Sequence, residues 1–172
     1  NLQTMSYAIL HIDKARSNDS GNTAHIARTY TPSNVDPSRT HLNRELVQFP
    51  ANVTNRSEAI EHRIATAGIY RKVAKNQVKA LRFILSSSPE DMARIEQEGR
   101  LYEWCDESID WLRSTFGADN VVAATLHADE ETPHIHATVV PIVTGERRKA
   151  KEEAEKGKRK YKTKKNKVRL CA

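Results

Sequence analysis

The sequence predicts an α+β domain, an antiparallel β-sheet with helices packed on its faces. Three observations lead there. Two apolar, β-rich runs, Asn120 to Leu126 (NVVAATL) and Ile135 to Val143 (IHATVVPIV), are separated by a short polar stretch ending in Thr132-Pro133, the signature of an antiparallel hairpin. A further run, Val78 to Ser86, alternates so that Leu81, Phe83 and Leu85 share one face. The third is the order of elements, β, loop, α, β, α, β, β, which suits a mixed sandwich better than a parallel sheet.

Ser6 to Ile12 (SYAILHI) reads as the opening strand. Asp13 to Asn22 is rich in Ser, Asn, Asp and Gly and reads as a loop. Ala24 to Tyr30 predicts a short helix stopped by Thr31-Pro32, and Ser33 to Val53 predicts irregular chain with strand character at His41 to Val47. Asn55 or Ser57 caps a helix over Glu58 to Arg71, where Ile60, Ile64 and Ala67 keep helical spacing. After the strand at 78–86, Ser88-Pro89-Glu90-Asp91 supplies a cap, a proline at the first helical position and acids in the first turn. That helix runs to Gln97. A longer one carries Tyr102, Trp104, Ile109, Trp111, Leu112 and Phe116 to Gly117, and its aromatic stripe reads as core packing. The hairpin, central in the sheet, closes the series.

A chain of 172 residues is long enough for one domain with its own core. Hydrophobic content of 38% and a mean hydropathy of −0.70 suit a soluble protein. No apolar run approaches the roughly 18 residues of a membrane span, and no secretory signal is visible, so no membrane contact is expected. Cys105 and Cys171 lack a metal-type spacing and read as free thiols in a reducing cytoplasm. Residues 1–4 read as an upstream remnant and 5–146 as the working domain.

The net charge of +6 is unevenly spread. Residues 147–172 carry 13 Lys and Arg against 3 Glu, which leaves residues 1–146 at −4. The stretch 147–167, with Lys158, Arg159, Lys160 and Lys162 flanking Tyr161, predicts a mobile, solvated loop or arm. Such charge attracts nucleic-acid phosphates through counterion release without reading sequence. Residues 168–172 read as the start of a further element of a truncated domain.

The hairpin also carries three histidines in ten residues. On a strand, positions i and i+2 share a face, so His134 and His136 point the same way while Ile135 turns inward. The fold of the hairpin returns His127 beside them. Three convergent imidazoles with Asp129 and Glu130 between them read as a divalent metal site with a supporting carboxylate. Which of the two acids does the supporting is left open.

His127-Ala-Asp129-Glu130-Glu-Thr-Pro133-His134-Ile-His136 resembles the metal motif of the HUH endonucleases, in the form found in the Pre/Mob (MobV) class of plasmid mobilization relaxases. Met5-Ser6-Tyr7 opens like those proteins. Asp36-Pro-Ser-Arg39-Thr-His-Leu-Asn43-Arg-Glu45-Leu is similar to their N-P-S-R block, and His25-Ile-Ala-Arg28 to the segment that supplies their nucleophile. The resemblance covers Met5 to Val143 and implies the N-terminal catalytic domain of a bacterial relaxase. It further implies nicking and strand transfer on single-stranded or supercoiled origin-of-transfer DNA, alongside other mobilization or conjugation proteins.

Residue by residue, the resemblance implies that His127, His134 and His136 hold the metal and that His25 attacks the scissile phosphate. Glu130 assists beside them. Arg28, Arg39 and Asn43 contact phosphate or brace the site. Some relatives carry Tyr where this chain has Arg44, so no tyrosine nucleophile lies there, and Tyr30 is the second candidate. Ligand type alone favours zinc, whereas the resemblance argues for Mn2+ or Mg2+. Phosphodiester cleavage independently suits these residues. A divalent cation neutralises the non-bridging oxygens, three protein ligands leave positions open for phosphate, and neutral imidazole offers a lone pair near pH 7. Two other readings compete: a zinc hydrolase with a Glu general base, and a non-catalytic DNA-binding module with a structural metal. A protein–DNA adduct separates the first reading from both.

Overall fold

The computed structural model describes residues 7–16, 19–145 and 168–172. Its main strands are β1 (Ala8–Ala15), β2 (Arg44–Glu45), β3 (Ala80–Ser87), β4 (Val121–His127) and β5 (His134–Val139). They form one antiparallel sheet in the order β1-β3-β5-β4-β2. The helices are α1 (Ser20–Ile26), α2 (Arg56–Thr66), α3 (Pro89–Gln97) and α4 (Leu101–Phe116). A separate pair, β6 (Ile142–Val143) and β7 (Arg169–Leu170), adjoins α2. The α+β class and the antiparallel sheet expected from the sequence are what is found.

β5 lies at the centre, with Leu85 of β3 and Leu126 of β4 both in register with Ile135. The two-residue period then sends Phe83, Leu85, Ile135 and Ala137 to one face, where they meet Ile109 and Leu112 of α4. Burying each of the larger side chains contributes roughly 1.5–3 kcal/mol. The same period turns His134, His136 and Thr138 to the opposite face. Near the start of β4 the register slips between Val121 and Ala123, and Val122 joins a second core with Ile60, Ala80, Val140 and Leu170 against α2. The core thus occupies one face and one end of the sheet, and the remaining area of the second face is left to polar chemistry.

Several boundaries differ from the sequence reading. β1 continues to Ala15 because Lys14 and Ala15 still pair with Leu81 and Ala80, and an edge strand tolerates Asp13 and Lys14. α1 starts at Ser20 and ends at Ile26, before Tyr30, because Arg28 adopts a left-handed conformation at φ 51°. α2 begins behind Asn55, whose side chain accepts the Glu58 N–H at 3.0 Å, and stops at Thr66, ahead of a left-handed Gly68 at φ 73°. α3 starts as expected, with Ser88 accepting from the Asp91 N–H and Pro89 next.

The aromatic stripe of α4 is only partly core. Trp104 and Phe116 pack against it, whereas Tyr102 and Trp111 are 48% and 42% exposed. Tyr102 lies under the Arg44 guanidinium, 4.8 Å away. Cys105 is fully buried, and burial pushes its thiol up to about 12, so it behaves as an apolar side chain. Among the described residues no helix is long and apolar enough to cross a membrane. Lys158, Arg159, Lys160 and Lys162, and the stretches 1–4 and 147–167, lie outside the described residues. The pairing of Ile142 with Leu170 brings the flanks of the latter stretch together.

Candidate active site

The hairpin places the histidines by register alone. His127 at the end of β4 pairs directly with His134 at the start of β5, and His136 follows two residues on. Ring centroids lie 5.4 Å apart for His127–His134, 4.7 Å for His127–His136 and 4.9 Å for His134–His136. His134 Nδ1 donates to the Thr132 carbonyl at 3.0 Å, leaving its Nε2 facing His136 Nε2 at 3.1 Å. His127 Nε2 donates to the Ile26 carbonyl at 3.0 Å, so its lone pair is on Nδ1.

α1 brings in the fourth imidazole. His25 stands with its ring centroid 5.7 Å from His136 and 6.0 Å from His127. Potential ligand atoms within 4.8 Å of one another form two overlapping groups, His25–His127–His136 and His127–Glu130–His134. His127 is common to both groups, His136 falls with His25 and His134 with Glu130, so the three expected histidines are neighbours by ring distance but do not form one group of their own.

Burial keeps the rings of His25, His127 and His136 neutral. Burial pulls His127 down to about 4, helped by Arg28, against a raising hydrogen bond to Ile26. Burial and then the neighbouring imidazoles of His134 and His127 pull His136 down to about 2. Burial and Arg28 also lower His25, with Glu130 opposing. Neutral, convergent imidazoles beside a carboxylate are a donor set for a divalent ion, and the residues fit one.

The depressed values set a pH dependence. Between the ordinary histidine value of 6.5 and about 4, the unfolded chain binds a proton that folded His127 refuses. Stability in the presence of a chelator is therefore full above that window and lost as pH falls through it. Urea midpoints at about pH 7 and about pH 5 should show the decrease, and His127→Gln should shrink it. Equal midpoints at both pH values would contradict the neutral-imidazole assignment.

A dense polar network lies behind the rings. Arg28 NH2 donates to Asp129 Oδ1 at 2.7 Å, Glu130 Oε1 at 2.6 Å and His127 Nδ1 at 2.9 Å. Its Nε reaches Asp129 Oδ2 at 3.1 Å and its NH1 the His25 carbonyl at 3.3 Å. Asp129, with no exposed side-chain surface, also accepts from Asn43 at 2.7 Å and Thr40 at 3.1 Å. Burial opposes its charge, but these donors, Arg28 foremost, hold the carboxyl down at about 2. Asn43 Oδ1 accepts the Ala128 N–H at 2.8 Å, and Arg39 Nε donates to the Ala128 carbonyl at 2.9 Å. The Asp36–Asn43 segment is thereby folded against the β4–β5 loop.

The two carboxylates have different work. Asp129 binds the bracing segment, while Glu130 sits 3.7 Å from His127 Nδ1 and 3.9 Å from His134 Nε2. Arg28 and Asn43 make bracing contacts, and Arg39 keeps 40% of its side chain exposed despite its ion pair with Glu96. Tyr30 is 53% exposed with its ring 6.4 Å from His25. His11, His41 and His62 are exposed and outside the cluster. Asn34, which donates to Glu130 Oε2 at 2.8 Å, and Thr40 were missed in the sequence. Asn34 lies in a turn and Thr40 opens a three-residue 3-10 helix, both too short for periodicity to mark a residue.

The sequence matches the profile of the plasmid recombination enzyme family (Mob_Pre) over residues 5–169. It is 33% identical over 156 residues to plasmid recombination enzyme type 3 of Staphylococcus aureus, covering 86% of this chain and 37% of that protein. Against a plasmid recombination enzyme of Streptococcus agalactiae it is 24% identical over 145 residues, covering 82% and 29%. The chain thus spans 37% or less of the length of these curated relatives. Among solved structures, it superposes on the MobM relaxase domain bound to plasmid pMV158 oriT DNA, in a Mn-bound crystal structure. The TM-score is 0.71 at 25% identity, over 87% of this chain and 80% of that one.

Proposed function

The chain belongs to the plasmid recombination enzyme family, and from that premise we propose that it nicks and transfers one strand of transfer-origin DNA through a covalent histidine intermediate. The observation that carries this reading is the neutral His25 imidazole 5.7 Å from His136 and 6.0 Å from His127, centroid to centroid. It supports His25 as the nucleophile at a divalent-ion donor set.

In the proposed reaction a His25 ring nitrogen attacks the scissile phosphorus. An N–P bond forms, the P–O3′ bond breaks, and the 3′ oxygen leaves as a hydroxyl after taking a proton. The 5′ side remains on the protein as a phosphoramidate, which a 3′-hydroxyl can attack in return. His127, His134 and His136 hold the metal, for which Mn2+ or Mg2+ is proposed. When bound, it neutralises charge on the non-bridging oxygens as a Lewis acid. Glu130, held by Arg28 and Asn34, is proposed to stabilise the positive charge that develops on His25 as the N–P bond forms. Arg39, with its partly exposed guanidinium, and the basic Lys158–Lys162 segment are proposed to meet phosphates. The setting is the bacterial cytoplasm.

Single-stranded oligonucleotides tiled across the genetic element that encodes the chain test this directly. With Mn2+, one of them should give a fragment ending in a 3′-hydroxyl and a protein whose added mass equals the remaining fragment. Peptide mapping should place that mass on His25. Cleavage with two free DNA products and no adduct would replace the relaxase by a hydrolase.

A further inference from the structure

We propose that Arg56 is a positioning residue that fixes His25 against the histidine strand; this rests on the reading of His25 as nucleophile. α1 has only seven residues, and its N-terminal neighbour Asp19 is left-handed, at φ 57°, without a side-chain cap. Isolated helices shorter than about 12–15 residues are marginal in water, so contacts must hold α1 in place. At its C-terminal end the contact is the Ile26 carbonyl on His127. At its N-terminal half the contact is Arg56.

Arg56 opens α2 and is 5% exposed. Its Nε donates to Thr138 Oγ1 on β5, its NH1 to Thr23 Oγ1 on α1 at 3.2 Å, and its NH2 lies 2.8 Å from an Asp19 carboxylate oxygen. Ser57 Oγ meets Thr23 Oγ1 at 2.9 Å, and Arg82 NH1 on β3 meets the other Asp19 oxygen at 3.3 Å. Thr138 is two residues beyond His136 and shares its face. One guanidinium therefore spans the helix that bears His25 and the strand that bears His134 and His136. The planar fork is essential to this: a lysine would keep the charge opposite Asp19 yet could not serve Thr138 and Thr23 together.

A buried ion pair that served only stability would change folding and leave the saturated rate alone. A positioning residue changes the rate with binding intact, since a shift of about 1 Å in a reacting group costs on the order of 100-fold. Arg56→Lys and Thr23→Val separate the two in single-turnover adduct formation, using the oligonucleotide that wild type cleaves and Mn2+. Arg56→Lys should lower the saturated rate roughly 10- to 100-fold. The half-saturating oligonucleotide concentration and Mn2+ affinity should not change, and faster amide exchange should be confined to residues 20–26. Thr23→Val, which removes one link without a charge, should show the same pattern with a smaller loss.

Unchanged saturated rates in both variants, with the adduct on His25, would overturn this inference alone. So would an Arg56→Lys chain that does not fold while Thr23→Val keeps the wild-type rate. An adduct that maps elsewhere in wild type would instead remove the underlying reading of His25.

Discussion

His25→Ala should abolish adduct formation and leave Mn2+ and non-covalent oligonucleotide binding in place. The expected loss exceeds roughly 1,000-fold, because a covalent route without its nucleophile has no slower version of the same step. Metal binding should survive because β4–β5 register brings His127, His134 and His136 together and the Ile26 carbonyl that holds His127 is untouched by the substitution. Tyr30→Phe keeps full activity: its ring stands 6.4 Å from His25, out toward solvent. The wild-type linkage should be acid-labile and alkali-stable, as a phosphoramidate is and a tyrosyl phosphodiester is not. Adduct persisting in His25→Ala, or mapping to a tyrosine peptide, would refute the assignment and leave Tyr30 first in line.

Asp129→Ala should be the most destabilising single change near the site. Its carboxylate accepts from Arg28, Thr40 and Asn43 while fully buried, and its carbonyl accepts the Asp36 N–H at 2.7 Å. Removing it leaves the Arg28 charge in a buried setting with only Glu130 to answer it. Breaking a buried pair in this way costs about 3–5 kcal/mol, a large part of the roughly 5–15 kcal/mol that holds a domain together. Glu130→Ala should cost less, since Glu130 is partly exposed and Arg28 keeps Asp129, but it should slow nicking. Urea denaturation of the three proteins checks the order. A shift for Asp129→Ala within about 0.5 kcal/mol, the size of a surface substitution, would show that the network is not what holds the Asp36–Asn43 segment down.

What could be read from the sequence followed from short-range periodicity. The two-residue period put His134 and His136 on one face and Ile135 on the other, and the structure has them so. Ser88-Pro89 marked the start of α3 because a cap and a first-turn proline act locally. The start of α1 had no such mark, since Asp19 is left-handed and caps nothing. The ends of α1 and α2 depended on left-handed residues, Arg28 and Gly68, of which only glycine advertises itself. Asp129 was legible as an acid between histidines but not as the anchor of Thr40 and Asn43, partners 89 and 86 residues away. Trp111 sits at helical spacing with buried residues yet faces outward, because an apolar stripe does not say how wide the covering sheet is.

Among the described residues β5 is the last strand, in chain order, of the five-stranded sheet, and it is the middle strand of that sheet. β3 and β4 each pair with it and not with each other. Until residues 134–139 are in place, β1–β3 and β2–β4 are two half-sheets that no other strand among the described residues joins, and the His127 anchor of α1 lies 101 positions downstream of Ile26. Closing contacts over such separations is entropically slow, so this chain should fold late and on the slow side for its size. Cutting competence then has no gradual onset during synthesis. The proposed centre arrives with the insertion of one six-residue strand, and before that moment the histidines of β4 and β5 are not assembled.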